Sequence, residues 1–66
     1  PSESRVEVIG KQLLRLEVFD LTGKRLILHT LTGTTQANLS LSTLPRGLYL
    51  VRVLDGTSYS THRIAR

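Results

Sequence analysis

The feature that most constrains this chain is the period of its apolar residues, which is two. Val6 and Val8 alternate with Arg5 and Glu7. Leu14, Leu16 and Val18 alternate with Arg15 and Glu17. Leu26 and Leu28 share one face of the next run, and Leu39 and Leu41 turn inward between Asn38, Ser40 and Ser42. Such alternation marks half-buried strands, because successive side chains of a strand point to opposite faces. In Leu48–Leu54 both faces are apolar: Tyr49, Val51 and Val53 on one, Leu48, Leu50 and Leu54 on the other, with Arg52 the lone polar residue. That pattern predicts a central strand covered on both sides, with Arg52 reaching solvent along its stem.

The punctuation between these runs is equally local. Ile9–Gln12 suits a tight connection, with Gly10 free to take positive φ. In Asp20–Arg25 the Asp20 carboxylate can accept a backbone amide two residues on, and Gly23 supplies the left-handed position. Leu31–Asn38 is polar, carries Gly33 and reads as a loop running into a strand. Pro45 presets φ for a turn over Leu44–Gly47, with Gly47 at its last position. These two residues set where the central strand starts and so its register; a slip of one residue would exchange its faces. Asp55–Ser58 reads as a second hairpin turn. About six short strands result, with no helical window, the pattern of a small antiparallel sandwich or barrel.

Sixty-six residues make one domain at most, with a small core and marginal stability. Cysteine is absent, and two histidines, His29 and His62, are too few for a self-contained zinc site. The net charge of +4 invites a nucleic-acid reading. The cations are dispersed, however, and the three aromatics are too few for a stacking platform. No apolar stretch is long enough to span a membrane as a helix. The opening PSESR lacks the pattern of a signal peptide and suits the tail of a linker, residues 1–5, ahead of a domain over 6–66.

No catalytic constellation is visible. A Gly-x-Ser-x-Gly elbow and a phosphate loop are both absent. Asp20 and Asp55 are accounted for by capping their turns. Glu3, Glu7 and Glu17 form no acid pair. The expectation is a non-catalytic domain without cofactor or metal.

Two segments carry a family resemblance. One is LEVFDLTGKRL (Leu16–Leu26); the other is LSTLPRGLYLVRV (Leu41–Val53). With the alternating basic end THRIAR, they resemble the C-terminal sorting domain of type IX secretion cargo, from about Val6 to Arg66. The resemblance implies an immunoglobulin-like β-sandwich of six to seven short strands that labels an upstream cargo domain for export. It implies passage through the periplasm of a Gram-negative bacterium and recognition by the outer-membrane secretion machinery. It also implies removal by a sortase-like cysteine peptidase, which joins the cargo to anionic lipopolysaccharide at the surface. The family's acid and turn glycine fall on Asp20 and Gly23, its Pro-x-Gly-x-Tyr on Pro45, Gly47 and Tyr49, and its basic last strand on Arg63, Ile64, Ala65 and Arg66. This chain has Arg where the family more often has Lys, and the two are not equivalent at a shaped contact.

Two other readings compete. An accessory fibronectin-like or carbohydrate-binding module would need an exposed aromatic platform, for which Tyr59 is the best candidate. A basic nucleic-acid binder would show steeply salt-dependent affinity, and the dispersed charge ranks it last, with no nucleic-acid partner expected. A free edge strand could also recruit a partner or a second copy by β-augmentation.

Overall fold

The computed structural model describes residues 5–66; the PSES segment lies outside the described residues. Four strands form: β1 (Arg5–Phe19), β2 (Arg25–Ser40), β3 (Leu48–Asp55) and β4 (Ser58–Ala65). They join one antiparallel sheet in the order β2-β1-β3-β4. The chain is all-β, as its period predicts, and β3 is central, but it is buried on its Tyr49–Val51–Val53 face alone; on the other face Leu48 is exposed and Leu50 and Leu54 are half-buried. The described residues form four strands, not six or seven. Among the described residues all four hydrogen-bond into a single sheet, not into two.

The difference has a physical cause. Two predicted connections are bends inside long strands. Gly10 does not turn the chain back and does not take positive φ; Gly23, Gly33 and Gly56 do, at 93°, 91° and 62°. The β1–β2 register instead shifts between Ile9 and Leu13, where Gly10, Lys11 and Gln12 face Thr35 alone. It shifts back between Leu13 and Arg15, where Leu31–Gly33 of β2 face Leu14 alone. These are β-bulges, which bend a strand and increase its twist.

The bend in β1 is held by Asp55. Its carboxylate accepts hydrogen bonds from the Gln12 amide at 2.7 Å and the Lys11 amide at 3.1 Å. The Gly56 amide donates to the Gln12 carbonyl at 2.8 Å. Asp55 therefore caps the bulge of β1 and not its own hairpin turn, which is centred on Gly56 and Thr57. Gly10 is needed for close approach: a Cβ there would lie 2.6 Å from both Asp55 Oδ2 and Leu13 Cδ2.

Because β1 and β2 bend, the sheet folds over its own inner face. Leu39 and Leu41, at the end of edge strand β2, are fully buried in one cluster with Leu13, Leu16, Val18, Tyr49, Val51 and Val53. Val6 and Val8 line a cleft of about 270 Å³ together with Val51, Val53 and Ile64. Burying each such side chain contributes about 1.5–3 kcal/mol, so a short chain depends on this fold-over. The register decides two positions. Leu13, not Leu14, is buried, because the bulge resets the alternation. Leu28 opposes Glu17 on the outer face and is exposed, whereas Ile27 opposes buried Val18.

The turn before β3 also differs. The closing hydrogen bond runs from the Leu44 amide to the Leu41 carbonyl at 2.9 Å, over Leu41–Leu44 and not Leu44–Gly47. Gly47 is already in the ladder.

Gly10→Ala is expected to lower unfolding free energy by about 1–3 kcal/mol, the usual cost of overpacking. A urea titration against the unsubstituted domain reads it directly.

Candidate functional site

The residues singled out in the sequence gather at one end of the sheet. In an antiparallel sheet of this order, the end of β1, the start of β2, the start of β3 and the end of β4 coincide: Phe19 pairs with both Arg25 and Leu50, and Leu48 pairs with Ala65. Asp20 and Gly23 form the turn at this end. The Asp20 carboxylate accepts from the Thr22 amide at 2.9 Å, the Lys24 amide at 3.0 Å and the Thr22 hydroxyl at 2.5 Å. The Gly23 amide donates to the Asp20 carbonyl. The Thr22 hydroxyl bond leads the contributions that hold the Asp20 carboxyl below its ordinary value.

Pro45, Gly47 and Tyr49 dock the last strand. Gly47 and Arg66 exchange both backbone hydrogen bonds, at 2.9 and 3.2 Å. Tyr49 opposes Ile64, and Leu50 opposes Arg63. The Tyr49 ring is buried, and its hydroxyl donates to the Pro45 carbonyl. That bond ties the segment before β3 down, the same device as a tyrosine corner. β4 itself is an edge strand. Its side chains are exposed from Ser58 to Arg63, and Ile64 is half-buried. His29 and His62 are both exposed. Among the described residues no group of three or more His, Cys, Asp or Glu is placed to hold a metal.

The two motif glycines separate physically. Gly23 has φ 93°, which its turn requires. Gly47 has no positive φ, and a Cβ there would meet nothing nearer than the Tyr49 hydroxyl at 4.0 Å. The fold does not demand glycine at 47.

Sequence reasoning missed a cluster on the outer face. Glu17 is 2 % exposed. Its Oε1 accepts from Arg52 Nε at 2.9 Å and Nη2 at 2.8 Å, and its Oε2 accepts from Arg25 Nη1 at 3.2 Å. The Arg52 guanidinium lies 5.2 Å from the Phe19 ring centre and 5.1 Å from that of Tyr59. Arg52 thus ends on a carboxylate, between two rings, and not in open solvent. Burial alone would raise the Glu17 pKa; the hydrogen bonds from Arg52 and Arg25, with the charges of Arg52 and Arg15, outweigh it and hold the carboxyl below its ordinary value. The signal available in the sequence was a lone Arg on an apolar face, but its partner becomes visible only in the register that sets Glu17 opposite Arg52.

Gly23→Ala is expected to destabilise by about 1 kcal/mol, while Gly47→Ala should stay within about 0.5 kcal/mol of the parent in urea melts. Glu17→Gln should cost about 1–3 kcal/mol at neutral pH, because it weakens a hydrogen-bonded charge. Folding lowers the pKa of Glu17 and of Asp55, the latter through the Gln12 and Lys11 amides. The stability they contribute is therefore complete above their ordinary values of 4.5 and 3.8. It is lost as pH falls through those values toward the lower folded ones, where the unfolded chain takes up protons first. Urea midpoints measured across that range should fall with acid, and less steeply in Glu17→Gln.

No curated protein and no solved structure matches this chain. The family model described as the secretion system C-terminal sorting domain matches residues 1–65. That match spans essentially the whole chain, and the chain belongs to the C-terminal sorting domains of type IX secretion cargo.

Proposed function

We propose that this sorting tail is read at its last strand and at the sheet end around it. Membership of the family makes the domain a non-catalytic signal that sends an attached cargo to the cell surface or beyond. In our reading the segment ahead of β1 joins it to the cargo, and the domain crosses the periplasm to the outer-membrane machinery. A sortase-like cysteine peptidase then removes it and transfers the cargo to anionic lipopolysaccharide.

The observation that carries this reading is the state of β4. The strand is continued in register by the Gly47–Arg66 pair, yet among the described residues its outward edge has no strand partner, and nearly all its side chains are exposed. A partner strand can add to such an edge by main-chain hydrogen bonds. Arg63 and Arg66 would then select among partners by charge. The glycan-binding alternative has less support. Tyr49 is buried, and Tyr59 is engaged by Arg15 and Arg52.

A periplasmic reporter fused to residues 1–66 is expected to reach the surface of a host with the type IX machinery. The same fusion ending before Arg63 should not, with the β signal in circular dichroism retained. Delivery that survives the truncation would overturn the reading of the last strand. A well-folded tail that never delivers would overturn the proposal as a whole.

A further inference from the structure

The outer face of the sheet is unlike an ordinary solvated face. Its cations are all arginine, since Lys11 lies in the β1 bend and Lys24 in the turn after Asp20. Arg52 is held between two rings and a carboxylate, as described. Arg15 Nη2 donates to the Tyr59 hydroxyl at 2.6 Å. Arg25 reaches Glu17 from the start of β2. These guanidiniums sit on paired strands with their rotamers already fixed, so binding would cost little further side-chain entropy.

The single carboxylate cannot serve all three. Arg15 approaches Glu17 only to 3.9 Å, and its buried Nε–H has no acceptor among the described residues. The cluster therefore carries surplus positive charge, on side chains that remain 37 %, 42 % and 50 % exposed at Arg15, Arg52 and Arg25. Beside it lie exposed Tyr59 and Leu28. Arginine, aromatic and leucine side chains without lysine match the makeup of a protein interface, where Arg and Tyr concentrate binding energy and Lys is depleted.

We infer that this outer face docks an acidic protein surface. Aspartate or glutamate carboxylates of the partner pair with Arg15, Arg25 and Arg52, and its apolar side chains cover Tyr59 and Leu28. Charge-assisted guanidinium–carboxylate bonds supply direction as well as attraction. The inference rests on the sorting reading only in placing that partner on the export path.

The test titrates the isotope-labelled domain with four probes: a synthetic peptide alternating glutamate and leucine, its lysine–leucine counterpart, phosphatidylglycerol vesicles and duplex DNA. The acidic peptide is expected to shift the amides of Arg15, Glu17, Arg52 and Thr61. Its affinity should drop about tenfold in the double variant Thr61→Glu, Leu28→Glu, which sets carboxylates beside the arginines. Lys11→Gln with Lys24→Gln should leave it nearly unchanged. Tighter binding of vesicles or DNA at this face, or peptide shifts confined elsewhere, would overturn the proposal. The double variant also goes into the reporter fusion. Loss of delivery with the β signal intact places the acidic partner in the export path; unchanged delivery removes it from that path. If the unsubstituted tail itself fails to deliver, the sorting reading fails, and the titration still decides the outer face.

Discussion

The carboxylate of Asp55 is the contact on which the rest of the structure depends. It sits at the end of β3, yet it accepts the amides of Lys11 and Gln12 in the middle of β1. Without that acceptor, the amides of a three-residue bulge would need solvent or a different path. With it, β1 bends, and its first half turns toward the inner face of its second half. Gly10 leaves room for the carboxylate, and the Gly56 amide closes the same junction from the other side. Two β-ribbons that would be marginal alone thereby share one buried cluster, in which Leu39 and Leu41 lie with Val51 and Val53.

The fold-over divides the labour between the two faces. The inner face is apolar and closed by the bend. The outer face is organised by Glu17 and its arginines, whose charge is left only partly neutralised. At the edge of the sheet, β4 is held along β3 and through Gly47 and Arg66, while its other edge pairs with no strand among the described residues. A sorting signal has to be stable enough to be recognised as a shape and still offer backbone and side chains to be read. In the reading proposed above, the buried inner face supplies the first property, and the edge strand and outer face supply the second.

Much of this was legible in the sequence, wherever the cause is local. Tyr49, Val51 and Val53 announce the inner face of β3 by alternation alone. Asp20 and Gly23 specify their turn within five residues, and the structure forms it with the expected bonds. The errors arise where the deciding partner is distant in the chain. Gly10 looks like a turn glycine until Asp55 is seen beside it. Leu26 and Leu28 mark one face without saying which way it points, until the β1–β2 register sets Leu28 opposite Glu17 on the outer face. Pro45 and Gly47 look like a turn, but the Arg66 backbone draws Gly47 into the ladder. Glu17 and Arg52 looked like separate solvated charges, because nothing local says that they face each other. The last strand is legible in the sequence as well; a recognition role for Arg63, Ile64 and Arg66 is what the resemblance implies, and the period does not speak to it.

The bend requires that Asp55 hold the two halves of β1 together. Amide hydrogen exchange in Asp55→Ala tests this most directly. If the bend depends on the carboxylate, Gln12 and Gly56 lose protection. The ladder from Val6 to Val8, opposite Ala37 to Leu39, should then exchange faster, while the Leu16–Val53 and Val18–Val51 pairs stay protected. If the Val6–Val8 ladder remains as protected as in the unsubstituted domain, the bend is held by something other than Asp55 and the account is wrong.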